Sequence, residues 1–250
     1  MACKIVKPDV LGRAVNNTIF ATSNDELRPA MTGVYVNLGD KNTTFVATDG
    51  HRLVRYRRTD VKSDNGNSII IPRKALNLLK ATLPAENTDV SLNFNMSNAF
   101  FKFGNIKMIC RLIDERFPDY DNVIPSGNNI KMTIERSDLL SALKRISIYA
   151  NKTTHQVRLK ITGSELQISA EDLDFSNEAN ERLSCEHDGE DIEIGFNAKF
   201  LIEMLTNIDS NQIKLTMSAP NKAGVILPAE KDKAEDILML VMPVMLNQYV

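Results

Sequence analysis

Apolar and polar positions along the 250-residue chain follow two alternating rhythms. Four segments carry the helical one, with apolar residues three and four apart. Residues 8–22 (PDVLGRAVNNTIFAT) place Leu11, Ala14, Val15, Thr18 and Ile19 on one face, and Pro8 suits a first helical turn. Residues 72–83 (PRKALNLLKATL) repeat this with Ala75, Leu76, Leu79 and Leu83, again behind a proline. Residues 137–150 (SDLLSALKRISIYA) open on Ser137 as an expected N-cap and carry Leu139, Leu143, Ile146 and Ala150. Residues 197–208 (NAKFLIEMLTNI) open on Asn197 as a second cap and carry Phe200, Leu201, Met204, Leu205 and Ile208.

The stretches between them alternate or run apolar and stop at Gly, Asn or Asp, which predicts strands. In the first half these are TGVYVNLGD, NTTFVAT, NSIII, DVSLNFN, AFFKFGN and KMICRLI. In the second they are NIKMTIE, QVRLKITG, ELQISAE, DIEIGF, QIKLTMS, AGVILPA and ILMLVMP. The acidic stretch 186–191 (EHDGED) reads as a solvated turn. The stretch FVATDGHRLVRYRR, Phe45 to Arg58, reads as a strand broken at Asp49-Gly50 that then delivers His51, Arg52 and Leu53. A plain hairpin with Gly50 at the bend accounts for that break without any chemistry.

The two halves also match in order. Each runs helix, strands, second helix, strands. PDVLGRAV resembles SDLLSALK, IPRKALNLL resembles GFNAKFLIEML, and MICRLIDERFP resembles ILMLVMPVML, at an offset of roughly 125 residues. Internal duplication is the economical explanation. The expected fold class is therefore α+β: two duplicated domains, 1–127 and 128–250, each with two helices packed on antiparallel sheets. The boundary is expected near PSGNN, 125–129.

Composition narrows the class. Hydrophobic content of 43% and charged content of 25% are those of a globular domain. No apolar run approaches the ~20 residues of a membrane span. The opening MACKIVKPDV has no apolar centre of the kind a signal peptide needs. Cys3, Cys110 and Cys185 are scattered and odd in number, which suits a reducing, cytoplasmic setting rather than a disulfide framework.

Net charge is −2, but its distribution is uneven. The four helical segments hold Arg13, Arg73, Lys74, Lys80, Lys144, Arg145 and Lys199 against Asp9, Asp138 and Glu203, a net of +4. The remaining 23 basic and 29 acidic residues net −6. Basic helix faces on an acidic body suit a polyanion whose phosphates are neutralised without base reading. These segments hold few aromatic residues for stacking single strands (Phe20, Tyr149 and Phe200), so duplex DNA is the expected ligand.

A catalytic reading centres on His51 with nearby carboxylates, a hydrolase-like alternative. The three histidines, His51, His155 and His187, have no partner at metal-ligand spacing. No GxSxG, phosphate-binding loop or paired-cysteine motif is present. No cofactor and no metal is expected.

Three segments, FVATDGHRL at 45–53, IIIPRKALNLL at 69–79 and RFPDYDNVIP at 116–125, closely resemble the central domain of the bacterial sliding clamp family, the beta subunit of DNA polymerase III. EIGFNAKFLIEML at 193–205 and LVMPVML at 240–246 resemble the family's last domain. The resemblance implies a non-enzymatic processivity factor. In that family three similar domains form a subunit, and two subunits close head to tail into a homodimeric ring around duplex DNA. Helices line the hole, and the ring tethers the polymerase III alpha subunit, the clamp loader and repair polymerases.

The resemblance also implies a hydrophobic groove between the last two domains that takes a short linear motif, usually a glutamine followed by leucine and phenylalanine. Carried onto this chain, the groove would use Met31, Thr48, Gly50, His51, Arg52, Leu53, Pro118 and Val123, and then Leu240, Val241, Met242, Pro243, Val244 and Met245. His51 and Arg52 would supply donors at the rim, and Leu53, Val123, Val241 and the methionines an adaptable apolar floor. Pro243 suits an edge or bulge rather than a central strand. The DNA-facing residues would be Arg28, Arg73 and Lys74, joined by Lys80, Lys144, Arg145 and Lys199 from the helix faces.

The chain departs from the family's pattern in three ways. No counterpart of the first domain is present in these residues, so the usual ring closure is not expected and the Leu139–Leu143 region is expected to be exposed or used in another contact. Met245 stands where the family often has a basic residue. The tail NQYV, 247–250, continues past the family's usual end.

Overall fold

The structure, a computed structural model, describes residues 2–63, 66–83, 88–230 and 232–246. The tail 247–250 lies outside the described residues. The chain divides into two compact units, one of Met1–Asp119 with Asp232–Ile237, the other of Tyr120–Lys231 with Leu238–Val250.

In the first unit, β1 (Ala2–Val6) leads into α1 (Pro8–Thr18), followed by β2 (Gly33–Leu38), β3 (Thr43–Thr48), β4 (Arg52–Arg58) and β5 (Asn67–Pro72). Then come α2 (Arg73–Thr82), β6 (Val90–Phe94), β7 (Asn98–Phe103) and β8 (Ile106–Arg111). One sheet has the order β1-β6-β7-β8, and a second run places β4, β3, β2 and β5 side by side. Neighbouring strands in both runs pair antiparallel.

The second unit repeats the plan. It contains β9 (Ile130–Glu135), α3 (Arg136–Ile146), β10 (Gln156–Thr162), β11 (Glu165–Asp172), β12 (Asn177–Ser184), β13 (Glu186–Asp188) and β14 (Ile192–Asn197). It closes with α4 (Ala198–Asn207), β15 (Gln212–Met217), β16 (Gly224–Pro228) and β17 (Glu235–Val241), whose first residues group with the first unit. Its sheets run β12-β11-β10-β14 and β13-β9-β15-β16-β17. Strand for strand, β9-β15-β16-β17 repeats β1-β6-β7-β8, and β12-β11-β10-β14 repeats β4-β3-β2-β5. The molecule is α+β and internally duplicated.

The helices form where the apolar periodicity places them. Leu11, Ala14, Val15, Thr18 and Ile19 are buried, as are Leu76 and Leu79 of α2. In the second unit Leu139, Leu143, Ile146 and Ala150, then Leu201, Met204, Leu205 and Ile208, fill the core. Leu139 and Leu143 are thus not an exposed surface. Their stripe on α3 packs against α4, β11 and β12 of the same unit, which removes apolar area from water. Pro8 opens α1 and Asn197 caps α4, its Oδ1 accepting from the Lys199 N–H at 3.0 Å.

Ser137 does not cap α3. The helix begins two residues earlier than that cap implies, at Arg136, with Glu135 at the N-cap and no side-chain capping bond. Arg136 explains the shift. Its backbone N–H donates to Asn211 O (2.8 Å), and its guanidinium donates to Ser210 O (2.8 Å) and Leu205 O (3.1 Å). The first residue of α3 is thereby tied to the end of α4, where orphan carbonyls need donors.

Two strands lack the expected alternation. β12 (NEANERLS) pairs with β11 over eight residues, Glu165↔Ser184 to Asp172↔Asn177, yet none of its side chains is fully buried. It is an edge strand, and charged side chains at an edge discourage further pairing. Within the acidic stretch 186–191, Glu186–Asp188 is a short strand paired with β9 rather than a turn. The Lys131–Asp188 ion pair at 3.3 Å sits on that pairing.

An ion-pair cluster binds Glu235 into the first unit. Arg58 contacts Glu235 at 2.5 Å and grips both oxygens of Asp60 at 2.8 and 2.6 Å, while Arg13 reaches Glu235 at 2.8 Å. Tyr56 beside it is fully buried, and that burial, with the Glu235 carboxylate, pushes its phenol up to about 12.

Candidate functional site

The residues 48–53 form the turn between β3 and β4, whose last register pair is Thr48↔Leu53. Nearly every polar group in it is used locally. Asp49 Oδ1 accepts from the backbone N–H of His51 (2.9 Å) and Arg52 (3.0 Å), and its Oδ2 accepts from Arg52 Nε (3.1 Å). Thr48 Oγ1 accepts from the Gly50 N–H (3.1 Å) and donates to Arg52 O (2.7 Å). Gly50 has φ +91°, a conformation that glycine adopts without strain. Arg52 is 7% exposed; its Nη2 donates to Phe20 O at 2.9 Å and its guanidinium lies 5.5 Å from the Phe20 ring centroid.

This accounts for the density of unusual residues in TDGHRL. Asp49 is an Asx-turn acceptor, Gly50 the left-handed residue and Arg52 the brace to the end of the first helix. Both carboxylate oxygens of Asp49 are engaged by the turn, so the carboxylate nearest His51 in sequence is committed to structure. His51 is exposed at the tip, whereas Leu53 and Thr48 are buried. The Arg52 donors point inward rather than to a rim, because the Phe20 carbonyl and the Asp49 carboxylate take them. Among the described residues no group of three His, Cys, Asp or Glu side chains is placed to hold a metal ion. No described helix is long and apolar enough to cross a membrane.

Of the other expected site residues in the first unit, Met31 is half-buried and its carbonyl accepts from the Ser23 N–H at 2.8 Å. Pro118 follows Phe117, which stacks on Tyr35 with centroids 4.9 Å apart. Arg28 is exposed and paired to Asp25 at 2.8 Å. That guanidinium and the Leu27 N–H hold the Asp25 carboxyl below the usual range. A Cβ built on Gly50 would meet Arg28 Nη1 at 2.8 Å, so the turn and this arginine are neighbours.

The second unit supplies a surface of different character. Leu240 and Val241 are buried in β17, opposite Val225 and Gly224. Beyond them the chain leaves the sheet. Met242 is 42% and Met245 72% exposed, with Pro243 and Val244 half-buried. Among the described residues one bridge holds this segment, Gly195↔Val244, through the Val244 N–H donating to Gly195 O at 2.8 Å. Val123, in the short turn Asp121–Val123, is 54% exposed. Gly195 is a residue that the strand pattern alone did not single out. Its signal was a glycine inside EIGF, since such a glycine marks close approach of another backbone.

Of the basic residues, Lys74, Lys80, Lys144 and Lys199 are exposed. Arg73 is half-buried and donates to Asn24 Oδ1 at 2.7 Å. Arg145 grips both carboxylate oxygens of Glu181 on β12, holding that carboxyl below its ordinary range. Burial, with smaller contributions from Lys199 and Lys152, pushes the His155 imidazole below its usual range.

Residues 5–119 match the family model described as the DNA polymerase III beta subunit central domain, and residues 121–244 match its C-terminal domain. The chain belongs to the DNA polymerase III beta subunit family. A beta sliding clamp of Staphylococcus epidermidis is 30% identical over 232 residues, covering 92% of this chain and 61% of that protein. One from Pseudomonas aeruginosa is 28% identical over 230 residues and covers 62% of that protein. The chain thus spans about three-fifths of the length of these clamp relatives. Among solved structures, the Pseudomonas aeruginosa clamp bound to griselimycin superposes with a TM-score of 0.92 at 27% identity, covering 98% of this chain and 65% of that one. A Bartonella birtlesii clamp bound to griselimycin gives 0.91 at 29% identity, covering 98% and 66%.

Proposed function

We propose that this chain acts as a non-catalytic sliding-clamp component, which binds duplex DNA without reading sequence and tethers replication and repair proteins through a short linear motif. The reading rests on one observation: residues 5–119 and 121–244 match consecutive domains of a single clamp family. The partners are duplex DNA, the polymerase III alpha subunit, the clamp loader and repair polymerases, in the cytoplasm and without a cofactor. In a complete family member the assembly is a homodimeric ring.

The motif-binding residues in this proposal are His51 and Gly50 at the turn, Met31, Pro118 and Val123, and the segment Met242–Met245. Thr48 and Arg52 enter by holding the turn in shape, Leu53 as the buried residue that closes it, and Leu240 and Val241 as the buried end of β17 from which Met242–Met245 emerges. The methionines supply a polarizable surface that adapts to different partners. The basic residues proposed to face DNA are Lys74, Lys80, Lys144 and Lys199, with Arg28, Arg73 and Arg145 beside them. No specific observation favours a hydrolase.

A fluorescent peptide carrying a glutamine-leucine-phenylalanine motif tests the first part. Binding with a dissociation constant on the order of 1 μM, lost in Met242→Asp, is expected; no binding to the unaltered chain overturns it. For DNA, association with a duplex weakens steeply as salt rises, and the salt slope shrinks in Lys144→Glu and Lys199→Glu. Salt-insensitive association would contradict the electrostatic reading.

A further inference from the structure

β14 lies at the end of its sheet, with β10 on one side. Its other side is covered at one point by the chain beyond β17, through the Gly195↔Val244 bridge. Only a residue without a side chain fits there. A Cβ at Gly195 would stand 2.5 Å from the Val244 carbonyl oxygen, 2.8 Å from Leu246 Cδ2 and 3.2 Å from Leu246 Cγ. The first of these is backbone, which cannot rotate away as a flexible side chain can.

The backbone of Gly195 itself makes no special demand, because its φ is not in the left-handed region. Its neighbours Ile194 and Phe196 are fully buried in the core, and Gly195 pairs in regular register with Arg158 of β10. β14 would form equally well with alanine at this position. The missing side chain serves the segment that crosses the strand, not the strand.

We propose that Gly195 is a positioning residue for partner binding: its bare backbone seats Val244 and Leu246 and thereby fixes how Met242 and Met245 are presented. Among the described residues the bridge is a single hydrogen bond, so the segment is anchored there at one site with exposed methionines on either side of it. Displacing that anchor moves the methionines without opening the core of the unit. This inference rests on the peptide-binding reading for its consequence, but the seating itself is observable without a partner.

The test uses the full chain and three variants. Gly195→Ala introduces the clash, Val244→Pro removes the N–H donor, and Leu246→Ala removes the side chain lying on Gly195 as a milder change. Two readouts are taken on each: affinity for the fluorescent glutamine-leucine-phenylalanine peptide, and hydrogen exchange of the 242–246 backbone amides. In Gly195→Ala the expected results are at least tenfold weaker peptide binding and at least tenfold faster exchange of the Val244 amide, with exchange in β10 and β11 unchanged. Val244→Pro should reproduce the affinity loss, and Leu246→Ala should give a smaller loss of the same kind.

If the unaltered chain fails to bind the peptide, the functional reading falls, and the exchange measurement still decides whether Gly195 seats the segment. If the unaltered chain binds and Gly195→Ala binds as tightly with a protected Val244 amide, this inference is overturned while the functional reading stands. If exchange accelerates throughout the sheet, Gly195 supports the fold rather than positioning the segment. That result also overturns it.

Discussion

The turn Thr48–Leu53 and the segment Met242–Leu246 both carry residues of the proposed motif-binding site, and they are built in opposite ways. The turn is tied by its own polar groups: two oxygens of Asp49, the hydroxyl of Thr48 and the guanidinium of Arg52 close it from within. The segment has one backbone hydrogen bond to Gly195 and leaves Met242 and Met245 in solvent. A surface that must accept many partners benefits from this division. A stiff turn loses little conformational entropy on binding, and an adaptable segment accommodates different side chains.

The largest expected effect falls on the stiff side. Arg52→Ala should cost about 3 kcal/mol of folding stability, because the Asp49 carboxylate and the Phe20 carbonyl both lose a buried donor. Urea unfolding measures it, and a loss below about 1 kcal/mol would mean that the turn does not depend on its brace. Next, the two glycines separate the two designs. Gly50→Ala forces a left-handed alanine at φ +91° and should cost about 1–2 kcal/mol. Gly195→Ala carries no such backbone penalty, so the two variants should differ in melting temperature, with Gly50→Ala the lower.

Met242→Asp and Met245→Asp should change stability by no more than about 0.5 kcal/mol, as solvent-facing substitutions do, while abolishing peptide binding. An equal loss of stability would place those methionines in the folding core instead.

The smallest effect concerns acid. Arg58, by hydrogen bond and charge, holds the Asp60 carboxyl below its ordinary value of 3.8. A depressed folded-state value means that its stabilisation is complete above pH 4 and fades as pH falls through the lowered value. The urea midpoint should therefore drop below about pH 4, and Asp60→Asn should reduce that drop. An unchanged acid slope in Asp60→Asn would leave the pair without a role in pH stability.

Helix positions were legible because burial follows the apolar stripe: Leu139, Leu143 and Ile146 point inward as their spacing requires. The strands with apolar alternation were equally plain. β12 was not, because an edge strand with Glu178, Glu181 and Arg182 has no buried face to leave a pattern. The Ser137 cap misled for a related reason. The residue that fixes the start of α3 is Arg136, whose partners Leu205, Ser210 and Asn211 lie far along the chain.

For the candidate site, the TDGHRL turn and the exposed methionines stood out in the sequence. The inward commitment of Arg52 and the anchoring of Val244 at Gly195 did not.

By itself the sequence determined the α+β class, the duplication, the four helices and the family, since each depends on local periodicity or on residues close together in the chain. Tertiary structure alone decided which polar groups are consumed in holding the chain and which remain at the surface. The Phe20 carbonyl under Arg52 and the bare edge of Gly195 under Leu246 are meetings of distant residues. Hydrogen bonding and steric exclusion act over a few ångströms in space, and no spacing along the chain records that distance.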